Sequence, residues 1–355
     1  MTPRFVNNAA NPGAILLTGA SGLLGGEMLE RLLERTDRHV FAIVRRPLGI
    51  EHERLHEVFA DLSEDKPLPE VTDAITTIIH CAASVSFTLP IDEQRAINVE
   101  GTRRLLALAE ALPNLERFMH VSTAYVAGFT EGTFGPGDLE RGQSFRNTYE
   151  QSKHESEVLV RSSGLPVQVV RPAIVVGDSQ TGRTSSFNVI YPPLKAYARG
   201  KMQVAPGNED ATIDVVPIDY VVEGMFALLD APVGSTHILA ACQKAGTMGE
   251  VLDLGAEYFD QPRGQLLPED QLRELIAQLP DEPREKALLA LQRNEAMVPY
   301  FSVRTQYEDP ETIRFLAERG VECPAFRDYF DRLMDYAEAT DWGKAPAAEP
   351  TAIRA

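Results

Sequence analysis

Tyr149-Glu150-Gln151-Ser152-Lys153 sets a phenol and an ammonium four residues apart, the spacing at which two side chains share one face of a helix. An ammonium beside a phenol favours the phenolate, which would bring a group that ordinarily titrates near ~10 toward neutral pH as a usable acid or base. The same spacing arises by chance on solvated helices, so its meaning depends on its company. That company is a glycine loop. Ala14-Ile15-Leu16-Leu17-Thr18 is a short apolar run, Gly19-Ala20-Ser21-Gly22-Leu23-Leu24-Gly25 follows it, and Met28, Leu29, Leu32 and Leu33 then recur at helical spacing. Strand, glycine turn and helix in that order predict a nucleotide site. Gly19 would permit the tight turn, Gly22 the approach of a pyrophosphate, and Gly25 close packing of helix on strand, with the helix N-terminus facing the anion.

The elements that follow would line the rest of such a site. His39 to Val44 reads as the next strand and ends in Arg45 and Arg46, where an NAD-specific site would present an acidic residue to the ribose. A guanidinium there suits a 2′-phosphate and argues for NADP; the alternative is a pair of solvent-facing arginines. Arg54 to Ala60 leads into Asp61-Leu62, and Thr76 to His80 leads into Cys81-Ala82-Ala83. Both are strand ends followed by small residues that could line adenine and ribose, with Asp61 a candidate acceptor for the adenine amino group.

Taken with Asn98-Val99-Glu100-Gly101-Thr102, Val121-Ser122-Thr123-Ala124-Tyr125-Val126 and Arg171-Pro172, these motifs resemble the extended short-chain dehydrogenase/reductases, in the family's order through about residue 240. His80-Cys81-Ala82-Ala83-Ser84-Val85-Ser86-Phe87, the Val-Ser-Thr-Ala-Tyr-Val run and Arg45-Arg46 are more similar to the fatty acyl-CoA and thioester reductase branch than to the sugar-nucleotide epimerases. The resemblance implies NADPH as cofactor, with no metal. It implies a cofactor site built from Thr18, Gly19, Ser21, Gly22, Leu23, Leu24, Gly25, Arg45, Arg46, Asp61, Leu62, Cys81, Ala82, Ala83, Asn98, Ser122, Tyr149, Lys153, Pro172 and Ala173. Tyr149 would be the proton donor, Lys153 would lower the phenol pKa and hold the nicotinamide ribose, and a hydroxyl opposite would hold the carbonyl oxygen. The family's Ser-Ser-x-x-Val-x-Gly pattern falls on Ser122 and Thr123, and Thr123 takes the catalytic position. Thr stands there in place of the usual Ser, which leaves the choice between the two hydroxyls open. Asn98 can equally be read as a turn or cap residue.

Length and composition agree. At 355 residues the chain can hold a large domain with a smaller appendage. The alternation from Ala14 to Arg171 predicts an α/β fold, a doubly wound parallel Rossmann sheet with a small, mostly helical C-terminal substrate region. Residues 1–240 would form the Rossmann domain, with substrate-pocket insertions at 176–215. Residues 241–342 would form a helical lid or substrate region, and 343–355 an Ala/Pro-rich disordered tail. In the helical region Leu272, Leu275, Ile276 and Leu279, then Ile313, Phe315 and Leu316, then Phe326, Tyr329, Phe330, Leu333 and Tyr336 follow helical spacing. Asp309-Pro310 is a good helix start and Gly320 a good stop. The aromatics would pack together or close over an acyl chain.

Cys81, Cys242 and Cys323 lie far apart, which suggests neither a zinc site nor a disulfide framework and fits a reducing compartment. No apolar segment is long enough to span a membrane, and Met1 to Asn11 lacks a signal-peptide core. The chain is therefore expected to be cytoplasmic. A net charge of −18 argues against nucleic acid as a partner. Between Ser179 and Asn208 there is no Asp or Glu, yet Arg183, Lys195, Arg199 and Lys201 are present. That bias could receive the phosphates of coenzyme A or a phosphopantetheine arm, or be no more than a solvated surface.

The expected activity is NADPH-dependent reduction of an acyl thioester, carried on coenzyme A or acyl carrier protein, to the aldehyde, with a second reduction to the alcohol left open. A dehydrogenase of a hydrophobic hydroxyl or ketone, a nucleotide-sugar epimerase or dehydratase, and a nucleotide-sensing scaffold are the alternatives. Members of the family often pair through a four-helix face, so a homodimer is among the arrangements the resemblance implies.

Overall fold

Short apolar runs separated by amphipathic stretches assemble here into one seven-stranded sheet. A computed structural model of the chain describes residues 13–345, positions 202 and 294 excepted. The N-terminal stretch read for a signal core, and 346–355 of the expected tail, lie outside the described residues. The strands are β1 (Ala14–Thr18), β2 (Val40–Val44), β3 (Leu55–Phe59), β4 (Ile75–His80), β5 (Arg117–Val121), β6 (Val167–Pro172) and β7 (Thr236–Leu239). They lie in the order β7-β6-β5-β4-β1-β2-β3, and the pairings from β3 through β6 are parallel. This is the doubly wound sheet that the alternation predicts.

Every residue of β1 is buried, because helices cover both faces of a parallel sheet, and that is why the strand reads as a continuous apolar run. The strand order reverses between β1 and β4, the point at which open α/β sheets bind ligands beyond their carboxyl ends. There the register sets Thr18 beside His80. Helix α1 (Leu23–Arg35) turns Met28, Leu29, Leu32 and Leu33 inward. A helical turn at Ile91–Arg95 passes through a π segment, Ala96–Glu100, into α2 (Gly101–Glu110). Leu105 and Ala109 of α2 and Val160 of α3 (Thr148–Arg161) pack with Leu16, Ile78 and Phe118 of the sheet. Replacing a side chain as large as Phe118 by Ala in such a core costs about 3–5 kcal/mol.

The chain divides into two compact units that interleave in sequence. The first is the chain up to Val126 with Asn147–Arg171 and Val222–His237; the second is Ala127–Arg146, Pro172–Val221 and Ile238 onward. Neither coincides with a single stretch such as 1–240 or 241–342. The region after 240 is not a helical module in itself, because its strands find partners far upstream: Gln265–Leu267 pairs with Val204–Pro206, Thr305–Tyr307 with Gly132–Phe134, and Gly246–Thr247 with Thr212–Ile213.

Within the second unit the helices fall near their expected places, at Glu269–Ala277, Pro310–Ala317 and Phe330–Ala339. Asp309 caps the second of these by accepting from the Thr312 N–H at 3.0 Å, and Gly320 takes the left-handed conformation, at φ +74°. A further helix at Asp281–Arg293 has no continuous apolar face in the sequence. Phe326, Tyr329, Phe330 and Tyr258 pack edge to face. Positions 343–345, the start of the expected tail, remain tied to the preceding helix through backbone bonds from Lys344 and Ala345 to the Thr340 carbonyl.

Candidate active site

Helix α3 begins at Asn147, whose side chain caps the Glu150 N–H at 3.0 Å, so Tyr149 stands in its first turn. Tyr149, Lys153 and Glu157 then follow at four-residue steps along one face. The Lys153 ammonium donates to the Val121 carbonyl at the end of β5, at 2.7 Å. Burial pulls it down to about 8, against the pull of the Glu157 carboxylate and the Cys81 thiol. The Thr123 hydroxyl, two residues past that carbonyl, hydrogen-bonds the Tyr149 phenol. The Phe87 ring lies 5.8 Å from the Tyr149 ring.

The expected tuning of the phenol by Lys153 is not what these groups do. Burial pushes Tyr149 up to about 12, and the Thr123 hydrogen bond offsets this in part. Burial is the largest cause, and the Glu150 carboxylate adds to it. Tyr149 is accordingly a neutral phenol that holds its proton, the form a proton donor requires.

Ser122 faces the other way. Its hydroxyl donates to Glu157 Oε2 at 2.6 Å, and the same buried carboxylate receives Arg171 Nη2 at 2.7 Å and Arg161 at 2.7 Å. Burial opposes ionisation of Glu157, but Arg171, Arg161 and Ser122 together hold it below the usual carboxylate range. The sequence reading passed over this cluster. Its signal was the acidic residue one further turn beyond Tyr149 and Lys153.

The glycine turn has the shape a pyrophosphate needs. Gly19 sits at φ +77°, where a Cβ would come within 2.7 Å of the Ala82 nitrogen, and a Cβ at Gly25 would fall on the Gly19 carbonyl. Gly22 is the N-cap of α1, and no side chain caps it, so the N–H groups of the first turn, at Leu23, Leu24 and Gly25, are left for a ligand. Ser21 and Gly22 are exposed at its mouth. The residues present therefore fit a dinucleotide.

Arg45 and Arg46 follow β2 directly and are both exposed. Asp61 accepts from both the nitrogen and the hydroxyl of Ser63, at 2.9 and 2.7 Å. These bonds, with Arg45 adding to them, hold its carboxylate below the usual range. The Leu62 carbonyl accepts from Arg104 at 2.8 Å and lies 3.2 Å from where a Gly101 Cβ would stand. Cys81 and Ala82 follow β4 against the glycine turn, and Ala83 comes next. Burial raises the Cys81 thiol to about 12, so it is not a nucleophile.

Two residues expected to meet the cofactor are occupied elsewhere. The Thr18 hydroxyl is wholly buried and bonded to His80 Nδ1 at 2.7 Å. Asn98 donates to the Ser84 carbonyl at 3.0 Å and to Ser152 Oγ at 2.9 Å, and accepts from the Ser84 nitrogen at 2.7 Å. Pro172 ends β6 and Ala173 follows it; both belong to the second unit, whereas the other expected site residues lie in the first.

Residues 52–225 match the family model described as male sterility protein, an NAD-binding domain. The chain is thus similar to a family of NAD-binding domains over a little under half of its length. It is 29% identical over 275 residues to fatty acyl-CoA reductase 1 of Mus musculus, covering 60% of this chain and 53% of that protein. The chain thus spans about half the length of the curated relatives it matches. The terminal R domain of the myxalamid PKS-NRPS biosynthetic pathway superposes with a TM-score of 0.77 at 28% identity, over 95% of this chain and 93% of that one. A thiolation-reductase di-domain from an archaeal non-ribosomal peptide synthetase shares the fold, with a TM-score of 0.70 at 19% identity over 93% of this chain and 76% of that chain. Among the described residues no helix is long and apolar enough to cross a membrane.

Proposed function

We propose that the protein reduces an acyl thioester, on coenzyme A or a carrier protein, to the aldehyde, using NADPH. The observation that carries the chemistry is the neutral Tyr149 phenol bonded to the Thr123 hydroxyl, with Lys153 one turn along α3. The likeness to fatty acyl-CoA reductase 1 and to the myxalamid R domain supports the substrate class. The exposed Arg45 and Arg46 support NADPH, because a guanidinium complements a 2′-phosphate.

A nicotinamide cofactor held at the Gly19–Gly25 turn would supply the hydride that reduces the thioester carbon. As negative charge gathers on the carbonyl oxygen, Thr123 donates a hydrogen bond to it and Tyr149 gives it a proton, leaving a hemithioacetal. The phenolate left on Tyr149, beside the Thr123 hydroxyl that favours it, takes the proton back from the hemithioacetal hydroxyl as the carbon–sulfur bond breaks. Thiolate leaves and is protonated by solvent, so each turnover consumes one hydride and one proton.

The second unit contains a cavity lined by Leu194, Tyr197, Ile213, Met248, Leu252 and Phe301 among others, with no charged residue in its wall. This favours a hydrophobic acyl group. Arg183, Arg199 and Lys201 are exposed, whereas Lys195 lies over the Trp342 ring at 5.6 Å. We assign the three exposed cations, rather than all four, to the phosphates of the carrier arm.

The test is NADPH consumption against acyl-CoAs, free aldehydes, hydrophobic ketones and nucleotide sugars. Turnover with acyl-CoA and release of free thiol are expected. Turnover confined to ketones, or NAD retained through purification with epimerisation of a nucleotide sugar, would overturn the assignment.

A further inference from the structure

Six hydrogen bonds connect the glycine turn to the backbone of Tyr149 through the interior of the first unit. The Ala82 N–H donates to Thr18 Oγ1 at 3.1 Å, which bonds His80 Nδ1 at 2.7 Å; His80 Nε2 bonds Thr102 Oγ1 at 2.9 Å, which donates to the Asn98 carbonyl at 2.7 Å; and the Asn98 side chain donates to Ser152 Oγ at 2.9 Å, which donates to the Tyr149 carbonyl at 2.9 Å. The direction of every proton follows from the ends. Thr102 spends its hydrogen on the Asn98 carbonyl, so it accepts from His80 Nε2–H. His80 Nδ1 is then bare and accepts from Thr18, which in turn accepts from Ala82. Each hydroxyl donates once and accepts once.

The chain is protected from titration. His80 is 2% exposed, and burial together with the Lys153 ammonium pulls it down to about 3, so one tautomer persists across the working pH range. The Thr102–Asn98 bond ties the first turn of α2 back to the middle of the π segment at Ala96–Glu100, and single π turns recur at functional sites. A fully satisfied network in a low-dielectric interior transmits a displacement of one member to the next, because no partner can be given up to water.

We infer that His80 is a positioning residue that couples occupancy of the glycine turn to the placement of Tyr149. The inference rests on the reading of that turn as the nucleotide site. Occupancy moves or stiffens the Gly19–Ala82 contact, Thr18 and His80 carry the restraint across β1 and β4, and Asn98 with Ser152 delivers it to the first turn of α3. The phenol would then reach its reactive position only when cofactor is present.

ADP tests this, because it has the pyrophosphate but not the nicotinamide half that would touch Tyr149 and Lys153 directly. Amide hydrogen exchange is followed in segments 19–25, 96–102 and 148–153 of the whole protein. In the wild type, ADP should slow exchange about fivefold or more in all three segments, the lower range of ordinary inter-site coupling. In His80→Leu the slowing should be confined to 19–25. Thr102→Val, which keeps the side-chain shape and removes only the hydroxyl, should do the same while still melting cooperatively and binding ADP, and should lower kcat about fivefold through the same coupling. Equal protection of 148–153 in the wild type and both variants overturns the inference, as does wild-type protection restricted to 19–25. A wild type in which ADP protects none of the three segments overturns instead the assignment of the glycine turn on which the coupling rests.

Discussion

Ser122 donates a 2.6 Å hydrogen bond to the buried carboxylate of Glu157, while its neighbour Thr123 bonds the phenol of Tyr149. Adjacent hydroxyls leave a strand end in different directions, and here one meets a buried carboxylate and the other the phenol. Thr123→Val should therefore lower kcat about 10²–10³-fold, the usual cost of losing one oxyanion donor. Ser122→Ala should cost stability of about 1.5–3 kcal/mol, as for a hydrogen bond to a charged group, and leave kcat within a few fold. Steady-state kinetics and thermal melts on the two variants check this; equal kinetic losses would return the choice to Ser122.

Tyr149→Phe removes the proton donor but leaves the glycine turn and Lys153 in place. A loss of about 10²–10⁴ in kcat is expected, with NADPH affinity nearly intact. Stopped-flow turnover with calorimetric binding of NADPH separates the two, and near-normal turnover would assign the proton to another group.

Lys153 loses its charge as pH rises through about 8, so kcat/KM should fall on the alkaline side of that value. Tyr149, at about 12, stays protonated throughout. The groups facing the ammonium are His80, His120 and Cys81, all held uncharged by burial, and the ionised Glu157. Glu157→Gln removes the charge that holds the ammonium protonated and should move the alkaline limb to lower pH. It should also cost about 3–5 kcal/mol, because the buried Arg171 guanidinium loses its ionised partner. Because the folded carboxyl is held below its ordinary range, that stabilisation is present at neutral pH and is lost as pH falls through the folded value. A pH profile unchanged in Glu157→Gln would separate Glu157 from the charge of Lys153.

Arg45 stands exposed at the end of β2. If it grips the 2′-phosphate, wild type prefers NADPH over NADH, and Arg45→Asp reverses the charge and should shift the kcat/KM ratio by about 10–100-fold toward NADH, as for loss of one or two charge-assisted bonds. Equal ratios in both proteins would release Arg45 from this role.

Local chemistry made much of the protein readable in its sequence. The apolar run at Ala14–Thr18, the spacing of Gly19, Gly22 and Gly25, and the Tyr149–Lys153 step are each set within a few residues, where backbone geometry and helix periodicity leave little freedom. Tertiary structure decided what depends on elements far apart in the chain. Only the folded sheet sets Thr18 beside His80, and only α3 packed on β5 and β6 turns Ser122 toward Glu157 and Arg171 while Thr123 meets Tyr149. The phenol's state was decided in the same way: spacing predicts an ammonium near it, but burial and the Thr123 hydroxyl set its proton affinity. The pairing of strands after residue 240 with Gly132–Phe134 and Val204–Pro206 was hidden for the same reason, since hydrogen bonds between distant backbones leave no periodicity in the residues that make them.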